Sequence, residues 1–175
     1  ALYAQGRAAY QNATCIPDWA FCQYPYGDGR CAGGQALGTG DVVLADLLQL
    51  ESIGVQAFRS FAGKVQLTGS FPALVEVGAS AFASASNPAS EVALIDLPLL
   101  ESIGEYAFRS FAGRVLLTSS FPALVEVGVD AFYYASNPAS VVALIDLPLL
   151  ESISYRAFYS FAGKVQLTGS FPALV

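Results

Sequence analysis

Residues 51–100 recur at 101–150 with ten differences, and a third copy opens at Glu151. A tandem period of this length folds as a solenoid, because each unit can bury its apolar face only against its neighbours. The repeat is finer than the block. Ser52-Ile53-Gly54-Val55-Gln56-Ala57-Phe58 returns as Glu76-Val77-Gly78-Ala79-Ser80-Ala81-Phe82, and again as Ser102-Ile103-Gly104-Glu105-Tyr106-Ala107-Phe108. Ala-Phe pairs at 57–58, 81–82, 107–108, 131–132 and 157–158 step alternately by 24 and 26 residues, which gives five units and a truncated sixth.

Within a unit, Gly113-Arg114-Val115-Leu116-Leu117-Thr118 and Ser140-Val141-Val142-Ala143-Leu144-Ile145 are short, β-branched and bounded by small residues, so both are predicted strands. With period two, Val115 and Leu117 point inward, and Arg114, Leu116, Thr118, Val141, Ala143 and Ile145 point outward. Stacked coils place these strands in one parallel sheet. A shorter extended stretch is expected at 101–103. Gly at 54, 78, 104 and 128 suits positive φ or a close backbone approach. The phenylalanines of the Ala-Phe pairs are expected to stack as an internal ladder. Phe61, Phe111 and Phe161, with Phe71, Phe121 and Phe171, recur only on alternate coils, which makes the period fifty. Pro72, Pro98, Pro122, Pro148 and Pro172 end the strands at equivalent points.

The run from Leu97 to Phe108, Leu-Pro-Leu-Leu-Glu-Ser-Ile-Gly-Glu-Tyr-Ala-Phe, followed by Val115-Leu116-Leu117, resembles the BspA-like leucine-rich repeat family over roughly residues 47–175. The resemblance implies a β-rich, right-handed leucine-rich-repeat solenoid of the kind carried by cell-surface and secreted proteins for adhesion or partner binding. The chain departs from that pattern in lacking a Cys after Ala-Phe and in alternating its unit length.

Residues 1–46 share none of this period and contain all three cysteines and Trp19. They read as an N-terminal cap or assembly segment, since an open solenoid end exposes core and unpaired strand edge. Cysteines at 15, 22 and 31 fit one disulfide formed in an oxidising compartment, with the pairing open, and Asn12-Ala13-Thr14 matches the N-glycosylation pattern. The chain has no methionine, so residue 1 is read as the start of a processed protein or of a fragment. These signs point to an extracellular or cell-surface location.

Composition removes several functions. Eight basic residues, unclustered in a chain of net charge −6, cannot track a phosphate backbone, so nucleic acid is not expected as a partner. Apolar runs such as 142–145 are cut by Asp146 before they could span a bilayer. Histidine is absent, which removes the commonest general base and metal ligand. Three thiols without a histidine lack a fourth zinc ligand. Glu51, Glu101 and Glu151, or Asp96 and Asp146, recur with the fold and single out no reacting centre. Gly33-Gly34 and Gly38-Thr39-Gly40 lack the Lys of a phosphate loop. Thr68, Thr118 and Thr168 are too sparse for an ice-binding lattice. No enzyme activity, cofactor or metal is expected.

Differences between copies show what the fold leaves free. Val55-Gln56 becomes Glu105-Tyr106 and then Tyr155-Arg156; Ala79-Ser80 becomes Val129-Asp130; Ala83-Ser84 becomes Tyr133-Tyr134. Tyr and Arg at freed positions are the chemistry of contact surfaces. Tyr106, Tyr133, Tyr134, Tyr155, Arg156 and Tyr159 are therefore the candidate interaction surface. A second candidate is an exposed apolar strip on the sheet, formed by Ile95, Leu116, Val141, Ala143 and Ile145, with Lys64, Glu91 and Arg114 alternating in sign at its edge. The expected function is a repeat scaffold acting through protein contacts, as adhesin or fibre subunit. Its partners would be copies of itself joined head to tail, or an extracellular protein or glycan recognised as a receptor does. A carbohydrate-active enzyme is a distant third reading.

Overall fold

The computed structural model describes residues 13–21 and 40–175, and every regular element among them is a strand. One parallel sheet, A, contains β1 (Cys15–Ile16), β3 (Ser52–Ile53), β5 (Glu76–Val77), β7 (Ser102–Ile103), β9 (Glu126–Val127) and β11 (Ser152–Ile153). The other, B, contains β2 (Val42–Ala45), β4 (Val65–Ser70), β6 (Glu91–Ile95), β8 (Arg114–Leu117), β10 (Val141–Ile145) and β12 (Lys164–Thr168). The chain alternates between the sheets, one strand of each per coil, so it is a β-solenoid.

The core is the expected ladder. Phe58, Phe82, Phe108, Phe132 and Phe158 stack face to face with centroids 5.1, 5.0, 5.1 and 4.9 Å apart, planes within 7° of parallel. Each fully buried ring contributes about 1.5–3 kcal/mol. Phe111 leans edge-on against Phe108 and also reaches Phe82, with both centroids 5.9 Å away, so it fills two coils at once. The equivalent positions on the intervening coils are the buried Ala85 and Ala135. A large ring beside a methyl packs the interior only as a pair of coils, which is why the sequence repeats every two.

The turns around the Ala-Phe pairs satisfy their donors by alternation. Gln56, Phe58 and Ser60 donate their N–H groups to the carbonyls of Ala79, Ala81 and Ala83 on the next coil, at 2.9, 2.6 and 2.8 Å. Ala57, Arg59 and Phe61 donate back to Gly54, Gln56 and Phe58 within the coil. This zigzag puts the residue before each Ala-Phe pair at positive φ: Trp19, Gln56, Ser80, Tyr106, Asp130 and Arg156. Ser60, Ser84, Ser110, Tyr134 and Ser160, two residues after the Phe, are left-handed as well. The glycines at 54, 78, 104 and 128 are not. They serve close approach, and a Cβ on Gly78 would lie 2.7 Å from the carbonyl oxygen of Ile53.

The solenoid begins earlier than the expected boundary at residue 47. β1 pairs with β3 and β2 with β4, and Phe21 stacks on Phe58 at 4.8 Å. Ile16-Pro17-Asp18-Trp19-Ala20-Phe21 is a further copy of the Ile-to-Phe signature, with Pro17 in place of the glycine. It is followed by a longer excursion, because 37 residues rather than 24 or 26 separate Asp18 from its counterpart Val55. Cys22, Cys31 and Asn12 lie outside the described residues. Among the described residues the Cys15 thiol is free, and it is exposed because Ile16 takes the inward position of the two-residue β1 and leaves Cys15 facing out.

The sheets differ in register. Sheet A steps by 24 (Ser52 with Glu76) and 26 (Glu76 with Ser102), as the sequence period requires. Sheet B steps by 23 (Val92 with Val115) and 25 (Leu67 with Val92), so its pairing slips by two residues in each fifty-residue block. An even slip keeps inward residues inward. Buried Val115 and Leu117 against half-buried Arg114 and Leu116 on β8 follow the expected alternation.

Candidate functional site

Because each coil repeats the same turn, outward positions form rows across the coils. One row carries Gln56, Ser80, Tyr106, Asp130 and Arg156; another carries Arg59, Ala83, Arg109, Tyr133 and Tyr159. Differences between copies therefore accumulate side by side in space. All six tyrosine and arginine positions singled out from the sequence meet on this turn face.

Tyr133 is the centre. Its ring stacks on Tyr159 at 5.4 Å and 16°, and Tyr134 stands edge-on to both, at 4.5 Å and 77° from Tyr133 and 5.9 Å and 67° from Tyr159. The Arg156 guanidinium lies 4.8 Å from the ring centroids of both Tyr133 and Tyr155. Arg109, not anticipated from sequence, lies 5.3 Å from the rings of both Tyr106 and Tyr133. It escaped notice because Arg59 holds the same place in the preceding block, so comparison of those copies shows no change.

A buried ion pair anchors the cluster. Asp130 is 1 % exposed, and Arg156 meets it with a fork, Nε to Oδ1 and Nη2 to Oδ2, both at 2.9 Å. A carboxylate so deeply set needs that bidentate partner. The hydrogen bond to Asp130 holds the Arg156 guanidinium protonated even more firmly than usual. Crowding by the surrounding protein, with Tyr134 beside it, pushes the Tyr133 phenol above its ordinary range while Arg156 opposes the shift. Tyr133 therefore remains a neutral hydroxyl donor. Tyr134, Tyr155 and Tyr159 are exposed, Tyr155 most of all at 71 %.

The second candidate, the apolar strip on sheet B, is less continuous than expected. Leu116 sits in register between Ala93 and Val141, all three half-buried or less open, while Ile95 and Ile145 are exposed at the strand ends. Ala143 is buried, 3 % exposed, contrary to the outward alternation. Its methyl lies between Val141 and Ile145 along the strand and beside Gln166 across it, and those longer side chains shade it. Glu91 pairs with Arg114 at 3.9 Å, but its neighbour on β4 is Gln66, so Lys64 does not join the alternation of charge.

Glu51, Glu101 and Glu151 are exposed at the edge of sheet A, and Asp96 and Asp146 at the corners leaving sheet B. Among the described residues no three His, Cys, Asp or Glu side chains cluster to hold a metal ion. No family model, curated protein or solved structure matches this chain.

Proposed function

We propose that this chain is a non-enzymatic repeat scaffold that acts by contact with a partner, of the extracellular or cell-surface kind its likeness to BspA-like repeats implies. The Tyr/Arg turn face is its binding surface. The observation that supports this reading is convergence: substitutions scattered through the sequence at 106, 130, 133–134 and 155–156 make one contiguous patch. Backbone geometry argues in the same direction. Tyr106, Tyr134 and Arg156 occupy left-handed positions, where an L-residue with a long side chain is disfavoured by about 1–2 kcal/mol and Gly, Asn or Asp would sit more easily. Unselected change at such positions would drift toward those small residues. Large aromatic and cationic side chains held there against strain fit a surface kept for contact.

The test uses the chain's own first copy as donor. Glu105→Val, Tyr106→Gln, Asp130→Ser, Tyr133→Ala, Tyr134→Ser, Tyr155→Val, Arg156→Gln and Tyr159→Arg restore the first-block residue at each of these positions. The reverted chain should keep its fold by circular dichroism and lose the proteins that the native chain retains from an extract of its source. An unchanged set of retained proteins would refute the assignment.

A further inference from the structure

We infer that Arg109 is the anion-recognising centre of this surface and that it takes an acidic segment of a partner protein; the inference rests on the reading above that the turn face binds a partner. Four arginines are described. Arg156 is held by Asp130. Arg114 donates to the Ala139 carbonyl at 3.2 Å and faces Glu91. Arg59 donates to Gln56 Oε1 at 2.8 Å. Arg109 alone is exposed with no side-chain hydrogen-bond or carboxylate partner among the described residues, and its guanidinium lies against the two tyrosine rings.

That arrangement is built for an incoming anion. A guanidinium has five N–H donors in its plane, and contact with two rings steadies the group without spending those donors. A carboxylate can then be taken in a bidentate, charge-assisted pair without first breaking an internal one. The tyrosines extend the preference. Tyr134 lies roughly perpendicular to Tyr133 and Tyr159, and Tyr133 and Tyr159 spend their facing ring surfaces on each other. The cluster thus sets phenolic hydroxyl donors beside the guanidinium, and these favour acidic and carbonyl groups. From Tyr106 on the fourth coil to Tyr155 on the sixth the patch spans two coil steps, about 10 Å, the length of roughly three extended residues. A lone small anion would use only Arg109 and leave the exposed Tyr155 and Tyr159 without a role.

The experiment measures fluorescence anisotropy of a labelled peptide of four Glu-Tyr repeats with the full chain, the Arg109→Gln chain and the Arg59→Gln chain. Arg59 is the matched control, since it holds the same turn position flanked by Gln56 and Ala83 instead of tyrosines. We expect the native chain to bind, Arg109→Gln to weaken binding about tenfold or more, and Arg59→Gln to leave it within about twofold. Binding should also weaken as salt rises from about 50 to 300 mM. No binding by the native chain, an Arg109→Gln chain of unchanged affinity, equal binding of a Gln-Tyr peptide, or tighter binding of an oligogalacturonate would each overturn the proposal. Equal thermal midpoints for the three chains exclude misfolding as the cause. If the anion is wrong but the reverted chain still sheds its partners, the surface stands without it; if the reverted chain keeps its partners, the surface falls too.

Discussion

The turn face of residues 55–84 and that of residues 105–134 have one backbone and two surfaces. Phe58 and Phe82 stack at 5.1 Å, and so do Phe108 and Phe132. Gln56 and Tyr106 share φ near 57°, as Ser84 and Tyr134 share φ near 55°. Yet Val55, Gln56, Ala83 and Ser84 give way to Glu105, Tyr106, Tyr133 and Tyr134. The ladder of rings and the alternating hydrogen bonds fix the chain path from inside, and the outward side chains have no vote in it. Stability and recognition are thereby separated into different residues, which makes the separation testable.

The largest effect should come from the shared interior. Phe108→Ala empties a space lined by Phe82, Phe111 and Phe132 and should cost about 3–5 kcal/mol, seen as a lower denaturation midpoint; an unchanged midpoint would break the claim that both surfaces rest on one ladder. The ion pair comes next, because there the second surface has grown inward. Arg156→Gln leaves the Asp130 carboxylate buried and unpaired, at a cost of about 1–3 kcal/mol, moderated because the Arg156 side chain is 39 % exposed. Asp130→Ser together with Arg156→Gln, the pair found in the first block, should recover most of that loss. A double variant as unstable as the single one would show that the two positions are not coupled. The smallest effect sharpens the contrast. Tyr134→Gly relieves a left-handed tyrosine while adding chain entropy to the unfolded state, so stability should hold or rise by up to about 1 kcal/mol while partner binding falls. Loss of both together would mean that surface and scaffold are not separable.

Much of the fold was readable from sequence because period is itself a structural signal. The 24/26 spacing of the Ala-Phe pairs gave the ring ladder, and the recurrence of Phe61, Phe111 and Phe161 on alternate coils gave the fifty-residue block. The first coil was not read. Pro17 breaks the glycine of the motif and a long excursion breaks the spacing, although Ala20-Phe21 was in plain view. The cluster of Tyr and Arg was found by comparing copies, and that method is blind to Arg109: an unchanged residue acquires a new role when its neighbours change from Gln56 and Ala83 to Tyr106 and Tyr133. Ala143 shows the limit of alternation, since direction along a strand does not give exposure when the side chain is one carbon long.

The two-residue slip of sheet B changes what duplication can build. Across the strands, Ala45, Thr68, Ala93, Leu116, Val141 and Lys164 lie on one continuous row, although they come from different places in the repeat. Duplicates fifty residues apart share a row two strands away on sheet A, whereas on sheet B the steps of 25 and 23 set them two residues out of line. Stacks of identical side chains in register are the pattern on which cross-β fibrils grow. Here an almost perfect tandem sequence yields rows of mixed side chains, while the pairing between neighbouring strands repeats faithfully from block to block, Val42 with Val65 and then Val92 with Val115.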